Sequence, residues 1–201
     1  MKFLVPILLL FLFVSNEVFS QSNELKGRIV WDEKIPLTWD NFKGHPDKKS
    51  SFNAATASTI IISSELKNQD ELVIHIMAIF DPKKSWKKKK TITNNLLKHE
   101  QNHFDITEVY ARLLIKKISG IQTNDPKILV KTVKTEYSRS LADLKKKHSE
   151  YDNETNHGKI KDKQELWNTK VQDMLSETKD FNINSKTFKI QVPLVRKTTR
   201  R

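Results

Sequence analysis

Leu96-Leu97-Lys98-His99-Glu100-Gln101-Asn102-His103-Phe104-Asp105-Ile106 carries His-Glu-x-x-His inside a run with helical periodicity, and the reading of the rest of the chain turns on it. At about 100° per residue, His99 and His103 stand one helical turn apart and about 40° from each other, so both imidazoles can reach one metal ion. Glu100 falls beside them. Two neutral imidazoles holding zinc, with a carboxylate placed to take a proton from the water that the metal activates, is the chemistry this spacing serves.

The flanking residues bear on whether the string is chemistry or coincidence. Leu96, Ile106, Tyr110, Leu113 and Leu114 lie on the histidine side, and Leu97, Phe104, Ala111, Ile115 and Ile118 widen it into an apolar face. Lys98, Asn102, Asp105, Arg112 and Lys116 gather opposite, where solvent is expected. Two histidines and a glutamate among buried positions each need a partner, and one metal ion partners all three.

Residues 1–20 read as a signal peptide. Lys2 supplies the basic start, Phe3 to Val14 an apolar run, and Val18 and Ser20 small residues suited to cleavage before Gln21. The run is too short and too abruptly ended for a comfortable membrane span, with an uncleaved anchor as the alternative. A secreted or periplasmic protein with no stable span after cleavage is therefore expected. With 0 cysteines it must fold without disulfides. The remaining roughly 180 residues suit a single domain, expected over 21–180, with 181–201 as a C-terminal extension ending in a basic tail. The net charge of +12 favours anionic partners such as envelope polymers, but lysine dominates it and no nucleic-acid-binding module is visible, so no specific nucleic-acid partner is expected.

Along the chain, Arg28 to Trp39 alternates around Pro36 and predicts short edge strands. Phe52 to Ser63 reads as one strand, and Glu71 to Phe80, apolar on both faces, as a central one. His75 in that strand suits a hydrogen bond or the surface better than a metal. Four lysines at 87–90 would oppose a helix dipole, which places the helix start at Thr93 as N-cap and its stop at Gly120. Asp125-Pro126 opens a second helix whose stripe runs Val130, Val133, Tyr137, Leu141, Leu144, His148 and Tyr151. Glu150 to Gly158 breaks the pattern as a loop. A third helix follows over about 162–175. The alternation of Phe188, Ile190 and Val192 then predicts an added strand.

Four segments together resemble a bacterial family described as secreted zinc-dependent proteases and also catalogued as a domain of unknown function. They are Leu37-Thr38-Trp39-Asp40-Asn41-Phe42-Lys43-Gly44, the turn from Phe80-Asp81-Pro82 to Ser85-Trp86, His99 to Ile106, and Tyr151-Asp152-Asn153-Glu154-Thr155-Asn156-His157-Gly158 with Gln164 and Trp167 after it. The resemblance implies a metallopeptidase acting on a peptide or protein substrate.

A catalytic zinc site needs a third protein ligand. Asp105 and Glu108 are turned away from the histidines, and Glu108 suits Arg112 four residues on. If the second helix doubles back, its end brings candidates to the motif. His157 is the expected ligand, because Gly158 lets the backbone turn its ring inward. Asp152 is the alternative, or else an outer partner of a metal-bound histidine. His148 and Glu154 remain as further donors, and Tyr151 as packing or as a transition-state donor. The expected architecture is α+β and zincin-like: a small N-terminal sheet, a buried metal-binding helix and two further packed helices. The expected function is zinc-dependent peptide hydrolysis with Glu100 as general base. A zinc amidase acting on cell-wall material and a non-catalytic envelope-binding module with a structural metal are the alternatives.

Overall fold

The computed structural model describes residues 25–89 and 92–191, so the signal peptide assigned to 1–20 and the basic tail lie outside the described residues. Six strands and three α-helices follow in the order β1 (Ile29–Val30), β2 (Ala54–Ala55), β3 (Ser58–Leu66), β4 (Glu71–Phe80), β5 (Trp86–Lys87), α1 (Asn94–Ser119), α2 (Pro126–Thr155), α3 (Lys161–Glu177) and β6 (Ser185–Lys189). The class is α+β, with a small sheet and three helices. No helix among the described residues is long and apolar enough to cross a membrane.

The sheet is organised on β4, as its two apolar faces predict. β3 pairs antiparallel along its whole length, from Ser58 opposite Phe80 to Leu66 opposite Leu72. The other edge is shared: β1 takes Phe80 and Ile79, and β6 takes His75 to Glu71. Residues 185–189, expected in the C-terminal extension, therefore belong to the main sheet. Leu72, Ile74, Ile76, Ala78 and Phe80 enter the core with Phe104, Ile106, Leu114, Ile115 and Ile118 of α1. Each such aliphatic side chain, fully buried, stabilises by roughly 1.5–3 kcal/mol.

The expected single strand over 52–63 is divided. β2 pairs with β5, whereas β3 joins the main sheet. At the break, Ala57 N–H donates to Ser85 Oγ at 2.9 Å and Asp81 N–H to the Ala57 carbonyl at 2.8 Å, so the turn before Trp86 pulls the chain from one sheet to the other. Gly44 packs against that turn, and a Cβ there would meet the Lys83 and Ser85 carbonyl oxygens at 2.7 and 2.8 Å. Between Arg28 and Trp39 only Ile29–Val30 is a strand. The following segment crosses the back of α1 instead.

Helix α1 starts after the Thr93 cap, whose side chain accepts from Leu96 N–H, and ends at Gly120. The expected solvated polar face holds at Lys116, which is exposed, and in part at Lys98, which is half-buried, but not between them. Asn102, Asp105, Glu108 and Arg112 are all buried, because α3 and the segment around Trp31 cover that side. Each is held by a named partner. Trp31 Nε1 donates to Asp105 at 2.9 Å, Asn102 Nδ2 to Asn168 at 2.7 Å, and Arg112 to Glu108 at 2.7 Å and to the Leu175 carbonyl at 3.0 Å. Burial raises the Asp105 and Glu108 carboxyls above their ordinary values, against the lowering pull of these bonds.

Helix α2, capped by Asp125 with Pro126 in first position, also departs from expectation. It runs on to Thr155, so Tyr151 and Asp152 are helical rather than in a loop. The apolar stripe continues through Leu144, Tyr151 and Thr155, all buried, and that packing overrides the weak helix propensity of Asp, Asn and Thr.

Candidate metal centre

The last turn of α2 lies across the first half of α1, which brings together residues about fifty positions apart. His99 Nε2 is 3.2 Å and His103 Nε2 3.1 Å from Asp152 Oδ1. His99, His103 and Asp152 form a group whose donor atoms all lie within 4.8 Å of one another and that could hold a metal ion. His157 Nδ1 reaches the same carboxylate oxygen at 3.2 Å, but it falls outside that group. The three imidazoles thus converge on one oxygen. Burial raises the Asp152 carboxyl, and the hydrogen bonds and charges of His103 and His99 more than offset this, holding it well below the usual carboxylate range.

His157 is placed by an unusual turn. After α2, Asn156 (φ 47°), His157 (φ 54°) and Gly158 (φ 75°) are all left-handed. For the two non-glycine residues this costs roughly 1–2 kcal/mol each. In return His157 N–H donates to the Asp152 carbonyl at 2.9 Å, and the His157 ring packs on Phe52 with centroids 4.2 Å apart. Gly158 touches His99, since a Cβ there would lie 3.0 Å from the imidazole Cγ. Its carbonyl accepts from Asn95 Nδ2 at 3.1 Å.

The remaining candidates take other places. Tyr151 is fully buried and stacks on His99 with centroids 4.6 Å apart. Its hydroxyl accepts from Gln164 Nε2 at 2.7 Å and donates to the His99 carbonyl at 3.3 Å, which leaves it no proton for a reacting oxygen. Burial above all raises its pKa. His148 Nε2 donates to the His103 carbonyl at 3.1 Å. Burial, then the neighbouring His103, lowers its pKa to about 3. Glu154 accepts from Trp167 Nε1 at 2.8 Å and so serves packing. His75 pairs with Glu65 at 3.2 Å on the sheet and neither lines the cleft nor joins the metal-capable group.

Sequence reasoning gave no role to Gln164. Buried on α3, it faces His99 Nδ1 with Oε1 at 3.0 Å. It entered only as one of the residues that carry the resemblance, since a single glutamine in a helical stretch has no spacing that points to chemistry.

Two features fit a cation at this centre. With Nδ1–H donated to Gln164, a neutral His99 turns the Nε2 lone pair toward Asp152 Oδ1 at 3.2 Å, and the contact becomes favourable with a positive charge there, a second ring proton in the metal-free protein or a metal ion in its place. Glu100 is buried as well, and its Oε2 has no hydrogen-bond partner among the described residues. A carboxylate oxygen so placed ordinarily costs several kcal/mol unless water or a cation satisfies it. Donors of two imidazoles and one carboxylate suit zinc.

These groups line a cleft of about 360 Å³ whose walls include Phe52, Ala54, Leu96 and Lys159. Thr56 Oγ1 donates to the Glu100 carbonyl at 3.2 Å, which fastens the β2 wall to the motif helix.

Residues 80–158 match a bacterial family of unknown function, DUF922. That family, bacterial proteins of unknown function, fits the domain-of-unknown-function side of the resemblance without naming an activity. The DUF922 region runs from the end of β4 to Gly158, so it includes His99, Glu100, His103, Asp152 and His157 and stops short of Gln164. No curated protein and no solved structure matches the chain.

Proposed function

We propose that the protein is a zinc-dependent hydrolase of peptide bonds, zincin-like in its arrangement and acting outside the cytoplasm. The observation that carries this reading is the unpartnered Glu100 carboxylate oxygen, buried beside His99, His103 and Asp152 in the lining of an open cleft. In this reading His99, His103 and Asp152 hold the metal. The zinc, when bound, supplies an acidified water and a Lewis acid for the scissile carbonyl.

The chain's own residues do the rest. Glu100 Oε2, with no hydrogen-bond partner among the described residues, accepts the proton of the attacking water and returns it to the leaving nitrogen. His157, half-exposed at the same carboxylate, is a donor for the oxygen on which charge develops. Among the described residues strand β2 pairs with β5 on one side only, so its other edge can align an extended peptide by backbone hydrogen bonds.

One observation favours a second reading. His157 Nδ1 lies as close to Asp152 Oδ1 as His99 does, and a fourth donor bound to the metal would close the site and make it structural. Glu100→Gln distinguishes the two. In the catalytic reading zinc stays bound and hydrolysis falls about a hundredfold to ten-thousandfold, with casein-like peptides and wall-derived amides assayed side by side. A wild-type protein that binds zinc and cleaves neither would favour the structural site.

A further inference from the structure

Beneath the cleft lies a buried cluster of side-chain amides that the proposed reaction does not use. Asn168 Nδ2 donates to the exposed Glu165 carboxylate at 3.0 Å, so Asn168 turns its oxygen inward. That oxygen accepts from Gln164 Nε2 at 2.9 Å and from Asn102 Nδ2 at 2.7 Å. The second proton of Gln164 Nε2 goes to the Tyr151 hydroxyl at 2.7 Å, and Tyr151 in turn gives its own proton to the His99 carbonyl. Both protons of the Gln164 amide are thus committed. Its oxygen has one place left to point, at His99 Nδ1.

We infer that Gln164, oriented by Asn168 and Tyr151, is the positioning residue that fixes which ring nitrogen of His99 is offered to the metal. An amide reversed at Gln164 would face Nδ1 with N–H groups, draw the lone pair to Nδ1, and leave the Nε2 proton where the metal should be. The network accepts a cost to avoid this. Asn102 spends its Nδ2 on Tyr151 and Asn168, while its Oδ1 is buried without a partner among the described residues. A buried orphan acceptor is tolerated when the other members of a network are thereby aimed.

The relay is a statement about His99 itself, and it rests on the zinc reading only for its effect on affinity. Two measurements on the full chain separate these. Nitrogen-15 spectra of the His99 ring in metal-free protein should show Nδ1 protonated in the wild type. In Gln164→Leu the proton should have left Nδ1 for Nε2, facing Asp152. Competition titration with zinc should show affinity weakened about ten- to a hundredfold in Gln164→Leu, with Gln164→Glu, which keeps an acceptor at Nδ1, much closer to wild type. Asn168→Leu, at a half-buried position, removes the orienting acceptor without touching His99 and should shift both readouts the same way by less. An unprotonated His99 Nδ1 in the wild type would overturn the inference. So would unchanged zinc affinity in both leucine variants of a protein that binds zinc. A wild type that binds no zinc but keeps the Nδ1 proton would defeat the metal reading and leave the relay standing.

Discussion

Gly158 offers a direct test of the packing at His99, because the structure supplies its own control. Replacing Gly158 by Ala forces a side chain into the left-handed region at φ +75° and sets its Cβ 3.0 to 3.3 Å from the Cγ, Cβ and Nδ1 atoms of His99. Gly27 has nearly the same backbone, φ +76°, with nothing among the described residues within 4 Å of the position a Cβ would take. Gly27→Ala therefore measures the backbone term alone, about 1–2 kcal/mol, or a fall in Tm of roughly 2–8 °C for a domain of this size. Gly158→Ala carries that term plus the contact. His99 must give by a few tenths of an ångström, yet it is fastened at Nδ1 by Gln164 and stacked on Tyr151. The added cost expected is about 1–3 kcal/mol, as for overpacking. Zinc affinity should fall about ten- to a hundredfold, because any shift of the ring strains its Nδ1 bond to Gln164. Thermal melts of both metal-free variants and competition titrations with zinc supply the numbers. Equal destabilisation by the two substitutions, with unchanged zinc affinity, would refute the claim that Gly158 is there to admit the imidazole.

Three further outcomes are expected. Asp152→Ala should weaken zinc binding about as severely as His99→Ala or His103→Ala, whereas His157→Ala should leave most of the affinity and lose turnover; the reverse order in a zinc titration would move the third ligand to His157. Saturating zinc at about a hundred times its Kd should stabilise the fold by about 2.7 kcal/mol, read as a rise in Tm of roughly 5–11 °C that a chelator abolishes. His148 adds a pH dependence. Its folded pKa of about 3 lies below the ordinary 6.5, so the unfolded chain binds a proton that the native protein refuses, and stability present above 6.5 is lost as pH falls toward 3. The slope is about 1.4 kcal/mol per pH unit. His148→Gln should flatten it in metal-free denaturant titrations, and an unchanged slope would show that another group sets it.

What the sequence disclosed followed local rules. Thr93, Gly120 and Asp125-Pro126 mark helix boundaries through their own backbone chemistry, and β4 declares itself by apolar residues on both faces. What it concealed depended on partners far away in the chain. Asn102, Asp105 and Arg112 look like a solvated helix face because the groups that bury them come from residues 31, 168 and 175. Asp152 looked like part of a loop because the stripe that keeps it helical is completed by Thr155, a residue with little helical preference of its own. The clustering of His99 and His103 was readable from four-residue spacing. Their meeting with Asp152 required knowing how far α2 runs and where it crosses α1.

The divided edge of β4 has a mechanical consequence. β1 and β6 lie end to end along that edge, both antiparallel to β4, one bridging two residues and the other five. Tension applied between the segment before Ile29 and the segment after Lys189 loads both pieces along their length, in shear, so that the hydrogen bonds of each resist together rather than opening one at a time. The shorter piece should yield first. As β1 slides it carries Trp31, whose indole is bonded to Asp105 two residues beyond His103, so a pull on that end is felt first at the back of the helix that bears the histidines.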